Sequence, residues 1–121
     1  MILVVTSDKV IGGCIIRALN KNGFDGHLSN NAIEAINYVG EVVPEMVFLD
    51  ILLTGPDGFT FLNEMASYVD TFEIPVVLLG EKDFSKFDFS AYSIVGFLDK
   101  STMLPDDIKK YASLYARKEN D

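Results

Sequence analysis

Four short, unbroken apolar runs constrain this chain more than any other feature: Ile2 to Val5, Met46 to Leu49, Ile74 to Leu79 and Ile94 to Leu98. A half-buried strand alternates apolar and polar residues, because successive side chains point to opposite faces. Runs without alternation need cover on both faces, as in parallel strands sandwiched between helices. Parallel neighbours also need crossover connections, and helical patterns fill the gaps between these runs. Gly26 to Ser29, with its glycine and His27, is a weaker fifth candidate and suits an edge. The sequence therefore predicts an α/β fold, a doubly wound parallel sheet of five strands with helices on both faces.

The helices show in apolar residues at a period of 3.6. Val10, Ile11, Cys14, Ile15, Ala18 and Leu19 share one predicted face, with Ser7 or Asp8 as N-cap and Gly23 past the end. Ala32, Ala35, Ile36 and Val39 form a shorter helix ending before Pro44. Phe59, Leu62, Met65, Ala66 and Val69 form a third, begun by the turn Gly55-Pro56-Asp57-Gly58. In the last, Thr102 is the predicted cap and Pro105 lies in the first turn. Asp106 and Asp107 meet the positive end of the helix dipole, and Arg117 and Lys118 the negative end. Its apolar face is Leu104, Ile108, Tyr111 and Tyr115.

Composition excludes several functions. With 49% apolar residues the chain has material for a core and is not disordered. A net charge of −8 argues against direct nucleic-acid binding, which needs clustered Lys and Arg. Cys14 is the single cysteine, so no internal disulfide forms, and its apolar neighbours predict a buried, inert thiol. His27 has no second His or Cys at zinc-ligand spacing. No run reaches the length of a membrane span, and no targeting segment precedes the first strand, so a cytoplasmic protein is expected. Residues 1–117 read as one domain, with 118–121 a charged tail or the start of a linker.

In a parallel sheet, chemistry gathers at the carboxyl ends of the strands. The residues there are Thr6, Ser7 and Asp8 after the first run, Asp50 after Leu49, Gly80 after Leu79, and Lys100 after Asp99. Asp50 and Lys100 can meet as an ion pair. They can also serve as an aspartyl nucleophile and the cation that stabilises its phosphorylated form, a chemistry that requires a divalent metal. Asp8 is the only further acid near the first strand end; it can contribute to a metal site or cap the following helix. Asp57 reads as a turn and cap residue.

Several segments, in order along nearly the whole chain, resemble the response-regulator receiver family. They are Ile2-Leu3-Val4-Val5, the spacing from Thr6 to Gly23-Phe24, and Ser29 to Ile36. The others are Pro44 to Asp50 with the turn to Asp57-Gly58, Ile74 to Leu79, and Phe97-Leu98-Asp99-Lys100. The resemblance implies the flavodoxin-like receiver fold with strand order 2-1-3-4-5. It makes Asp50 the phosphoacceptor and Lys100 the partner of the phosphoryl oxygens. Gly80 and Phe97 fall at the switch positions, and Mg²⁺ would be held by Asp50 and the Leu52 backbone carbonyl, with Asp8, one residue beyond the family's acidic positions, either taking over part of the site or capping the helix. It implies two-component signalling and a phosphorelay role without enzyme activity beyond Mg²⁺-assisted phosphorylation and dephosphorylation of Asp50. A histidine kinase or phosphotransfer protein would be the donor. A protein output partner, or a second copy, would bind the face of the fourth helix, fifth strand and fifth helix.

Departures from the family pattern cluster at the centre. Its acidic pair falls on Thr6 and Ser7, its switch hydroxyl on Gly80, and the proline after its lysine on Ser101. Mg²⁺ is thus expected to bind weakly or not at all. The segment between Gly80 and Lys100 is short for the family, so the fourth helix is expected to be short or irregular. Its Phe84, Phe87 and Phe89 either cover the sheet or form a docking patch. The alternative to phosphorylation is a pseudo-receiver acting as a protein–protein interaction module. A flavin or nucleotide binder on a similar scaffold is disfavoured, because Thr6-Ser7-Asp8-Lys9 is not a glycine-rich phosphate loop.

Overall fold

The computed structural model describes residues 1–53, 57–81 and 88–118. Five strands, β1 (Ile2–Val5), β2 (Gly26–Ser29), β3 (Met46–Asp50), β4 (Val76–Gly80) and β5 (Ile94–Asp99), form one parallel sheet in the order β2-β1-β3-β4-β5. The described helices are α1 (Lys9–Lys21), α2 (Ala32–Glu41), α3 (Gly58–Ala66) and α4 (Pro105–Tyr115). The expected α/β class and strand order are both present.

The unbroken runs are explained by two cores. Every residue of β1, β3 and β4 is buried. Leu3, Val5, Val47, Leu49 and Leu78 face one core, closed by Ala35 and Val39 of α2 and Phe61 and Met65 of α3. Ile2, Val4, Phe48, Val77 and Leu79 face the other, closed by Ile15 and Leu19 of α1 and Ile108 and Ala112 of α4. Each fully buried Leu, Ile or Phe contributes roughly 1.5–3 kcal/mol of transfer free energy, so these central strands anchor the fold. The edge strands β2 and β5 are only partly buried. On β2, His27 stacks on Tyr38 of α2 with ring centroids 3.7 Å apart.

Three sequence expectations are corrected. Cys14 is exposed, with an Arg17 guanidinium nitrogen 3.4 Å from its sulfur, and Val10 is 74% exposed. The buried face of α1 runs through Gly12, Ile15, Ala18 and Leu19. Val10 and Cys14 each lie two residues from Gly12, about 200° around the helix. Helix α3 ends at Ala66 and Val69 is 90% exposed. The Ser67 and Thr71 hydroxyls bond the carbonyls of Asn63 and Met65, ending the helix there. Thr102 does not cap α4. Leu104 is the cap residue and Asp107 reaches back to its N–H at 2.8 Å, leaving the Leu104 side chain exposed.

Residues 88 to 93, leading into β5, contain no helix. Phe89 stacks on Phe59 of α3 at 5.7 Å and meets Phe97 of β5 at 5.8 Å, so this ring covers the sheet. Tyr92 donates to Asn63, and the Ser93 hydroxyl to the carbonyl of Phe72. Phe84, Phe87, residues 54–56 of the predicted turn and residues 119–121 of the predicted tail lie outside the described residues. Among the described residues, no helix is long and apolar enough to cross a membrane.

Glu45, before β3, ties distant parts of the chain together. One carboxylate oxygen accepts from the Met1 ammonium at 2.8 Å and the other from the Arg117 N–H at 3.0 Å. Burial alone would raise its pKa, but these hydrogen bonds and the nearby positive charges hold it below the ordinary 4.5. The unfolded state therefore binds the proton more readily. The stabilisation is complete above that ordinary value and is lost as pH falls through the depressed one. Urea midpoints at pH 7 and pH 3 are expected to converge partly in Glu45→Gln relative to the parent chain; an unchanged pH difference would refute the assignment.

Candidate site at the strand ends

Parallel register brings the candidate residues together. Val5 of β1 lies opposite Leu49 of β3, so Thr6 and Asp50 are the next residues of neighbouring strands. Asp50 lies opposite Leu79 of β4, and Gly80 opposite Asp99 of β5. The Lys100 N–H then donates to the Gly80 carbonyl at 2.8 Å, fixing where the lysine leaves the sheet.

Asp50 is buried, and its carboxylate is surrounded by donors. Lys100 Nζ lies 3.2 Å from Oδ1 and 3.0 Å from Oδ2. The Thr6 hydroxyl donates to Oδ2 at 2.9 Å, and the Leu52 N–H to Oδ1 at 3.1 Å. A carboxylate offers about four lone-pair positions, and four protein contacts occupy them. The side chains of Asp50 and Lys100 are 2% and 15% exposed, so the ion pair is buried at its carboxylate end and only partly exposed at the lysine.

The remaining candidates have other partners. Thr6 Oγ1 also accepts from the Asp8 N–H at 3.1 Å. Asp8 itself is exposed and caps α1, with Oδ1 accepting from Val10 and Ile11. Ser7 donates to the Asn30 carbonyl at 2.7 Å. Asp57 caps α3 through the Thr60 N–H. Leu52 joins the site through its N–H, while its side chain is 71% exposed. Gly80 is buried and brings no side-chain donor to the crevice. Phe97 is exposed on β5, tilted against Phe89.

These residues do not suit a resident Mg²⁺. That ion wants near-octahedral oxygen ligation, with carboxylates carrying the charge. Among the described residues, Asp50 is the one carboxylate at the centre, and its oxygens are engaged. The Thr6 proton points at it, and Asp8 is turned into its own helix. Among the described residues, no group of three His, Cys, Asp or Glu side chains could hold a metal.

Sequence reading missed the part played by Thr6. It treated this residue as a poor metal ligand, whereas its hydroxyl is a direct partner of Asp50. The signal lies in the register of β1 and β3 and not in the residue type.

The described backbone superposes on the chemotaxis response regulator CheY4 of Vibrio cholerae with a TM-score of 0.84, at 17% identity over 93% of this chain and 95% of that one. The fold is that of a response-regulator receiver domain. The receiver domain of NtrX from Brucella abortus matches at 0.82, with 26% identity over 94% and 96% of the two chains. The N-terminal domain of a response regulator receiver protein from Methanoculleus marisnigri matches at 0.76, with 23% identity over 96% of each. No protein-family model matches the chain. Within the receiver fold, Asp50 and Lys100 occupy the strand-end crevice where the sequence resemblance placed them.

Proposed function

We propose that this chain is a two-component-type signalling module working by protein docking, a pseudo-receiver in which Asp50, Lys100 and Thr6 form a structural cluster. The observation that carries this reading is the closed set of contacts at Asp50. Thr6, Lys100 and Leu52 fill the carboxylate's acceptor positions, and the nearby Asp8 is committed to capping α1, so neither a free lone pair faces a phosphodonor nor does a second carboxylate stand beside Asp50 to share a cation. Gly80 and Phe97 would then pass no phosphorylation signal, since the first has no hydroxyl to follow a phosphoryl group. An output protein would meet the side of the molecule carrying β5 and α4, where Phe97, Leu104 and Tyr115 are exposed.

The test is incubation with acetyl phosphate and Mg²⁺, read by intact mass. No phosphoryl adduct is expected. In parallel, the amide resonances of Thr6, Asp8, Leu52 and Lys100 are expected to stay fixed as Mg²⁺ is added to millimolar levels. An adduct on the parent chain that disappears in Asp50→Ala would overturn the proposal and establish Asp50 as a phosphoacceptor.

A further inference from the structure

The charges of this chain are segregated along the sequence. Between Lys21 and Lys82 there is no Lys or Arg, while the same stretch carries ten Asp and Glu. It builds β2, α2, β3, α3 and β4, so the helical layer of α2 and α3 contains acids and no cations. The opposite layer carries Lys9, Arg17 and Lys21 on α1 and Lys109 and Lys110 on α4.

A cavity of about 250 Å³ opens between α2 and α3. Its walls include Val39, Phe61 and Met65, with Val43 and Tyr68 at 51% and 55% exposure. Glu64 and Asp70 are its charged lining residues. Next to Tyr68 in the chain, Val69 is 90% exposed, and Phe72 in the same connection is 47% exposed. The connections bearing Val43 and Tyr68 lead into β3 and β4, so the cavity belongs to the end of the sheet opposite Asp50. Its size is informative. It falls below the roughly 300–1,000 Å³ of pockets that enclose whole ligands, yet exceeds a cavity of ~150 Å³ that accepts benzene. One bulky apolar side chain fits.

We propose that this cavity is the docking site for a cationic amphipathic helix of a partner protein. The helix would set one aromatic or aliphatic anchor between Val43 and Tyr68, over the floor formed by Phe61 and Met65, and place Lys or Arg over Glu64 and Asp70. Apolar walls whose charged lining residues, Glu64 and Asp70, are both acidic favour that chemistry over an acidic or neutral segment. The charge of −8 on every copy disfavours self-association as the occupant. The site is independent of the chemistry at Asp50.

The probe is a synthetic amphipathic peptide of Leu, Ala and Lys with one central Phe, titrated into the isotopically labelled chain. Shift changes are expected to centre on Ile36, Gly40, Val43, Tyr68 and Thr71. Gly40 lines the cavity with open space around a Cβ, so Gly40→Phe narrows the mouth without displacing the fold. Gly40→Phe and Glu64→Lys, and separately Phe→Ala in the peptide, are each expected to weaken binding about tenfold, as loss of an anchor contact does. Asp106→Lys makes the same charge change in the opposite layer and is expected to leave affinity within about twofold, as a charge remote from the contact does. Absence of binding, shifts centred elsewhere, or equal loss in Asp106→Lys would overturn the proposal. So would sedimentation showing a dimer of the unliganded chain that Gly40→Phe dissociates, which would make a second copy the occupant.

Discussion

Lys100→Met is expected to lower the unfolding free energy by about 3 kcal/mol, because it leaves the Asp50 carboxylate buried without its counter-charge. Thr6 and the Leu52 N–H would still donate to that carboxylate, but neither is charged. The reverse truncation should be milder. Asp50→Asn keeps an acceptor for Thr6, and Lys100 can turn its ammonium toward water on its flexible stem, so a loss of about 1 kcal/mol is expected. The double variant Asp50→Asn/Lys100→Met removes both charges and should be more stable than Lys100→Met alone. A coupling of roughly 1–2 kcal/mol between the sites is expected. Urea unfolding of the four chains gives the cycle. If Lys100→Met unfolds within about 0.5 kcal/mol of the parent, the change expected of ordinary surface substitutions, the pair is no structural cluster.

The second large effect is expected at Gly58, the first residue of α3. A Cβ there would lie 2.9 Å from the Cα of Ile51 and 3.0 Å from its carbonyl oxygen. Both are backbone atoms, one residue beyond Asp50, and the Gly58 N–H donates to the same carbonyl at 3.2 Å. Alanine normally gains up to about 1 kcal/mol over glycine inside a helix. Here that gain is opposed by overpacking, which costs about 1–3 kcal/mol and more when no side chain can yield. Gly58→Ala is therefore expected to be destabilising by about 2 kcal/mol, a fall of roughly 8 °C in Tm for a domain of this size. The amide signals of Ile51 and Leu52 should move with it. A thermal melt matching the parent chain would show that α3 can lift away from β3 freely.

Much of this architecture is legible in the sequence because burial on both faces writes itself as unbroken apolar runs. β1 begins and ends where its run does, and β3 and β5 begin with theirs. β4 begins two residues after the apolar run starts at Ile74, since Pro75 has no N–H to give the ladder. What periodicity misreads is a helix whose closest approach is made by glycine. A Cβ on Gly12 would meet Leu28 and Thr6 side chains at 3.0–3.1 Å, so α1 rests on the sheet through a residue that contributes nothing to an apolar stripe. Val10 and Cys14 lie on the apolar stripe that periodicity predicts, yet the structure turns both outward. The end of α3 was equally hidden, being set by hydroxyl contacts beyond the helix.

The site divides in the same way. Asp50 and Lys100 are marked by position, each a charged residue just past an apolar run. The hydrogen bond from Thr6 depends on strands 44 residues apart lying side by side, which only the register supplies. The acid-only stretch from 22 to 81 is visible in one dimension, but it becomes a face only when α2 and α3 pack as neighbours.

The Thr6 hydroxyl has a wider consequence. A carboxylate in its place would set two negative charges against one lysine, a local conflict relieved only when something cationic arrives. Such conflicts leave competing conformations close in energy, and switching depends on that near-degeneracy. Thr6 instead satisfies Asp50 and the Asp8 N–H together and leaves the centre minimally frustrated. On the pseudo-receiver reading proposed above, such a fold would act as a fixed template, whose influence on a pathway would be set by how much of it is present and where it is held.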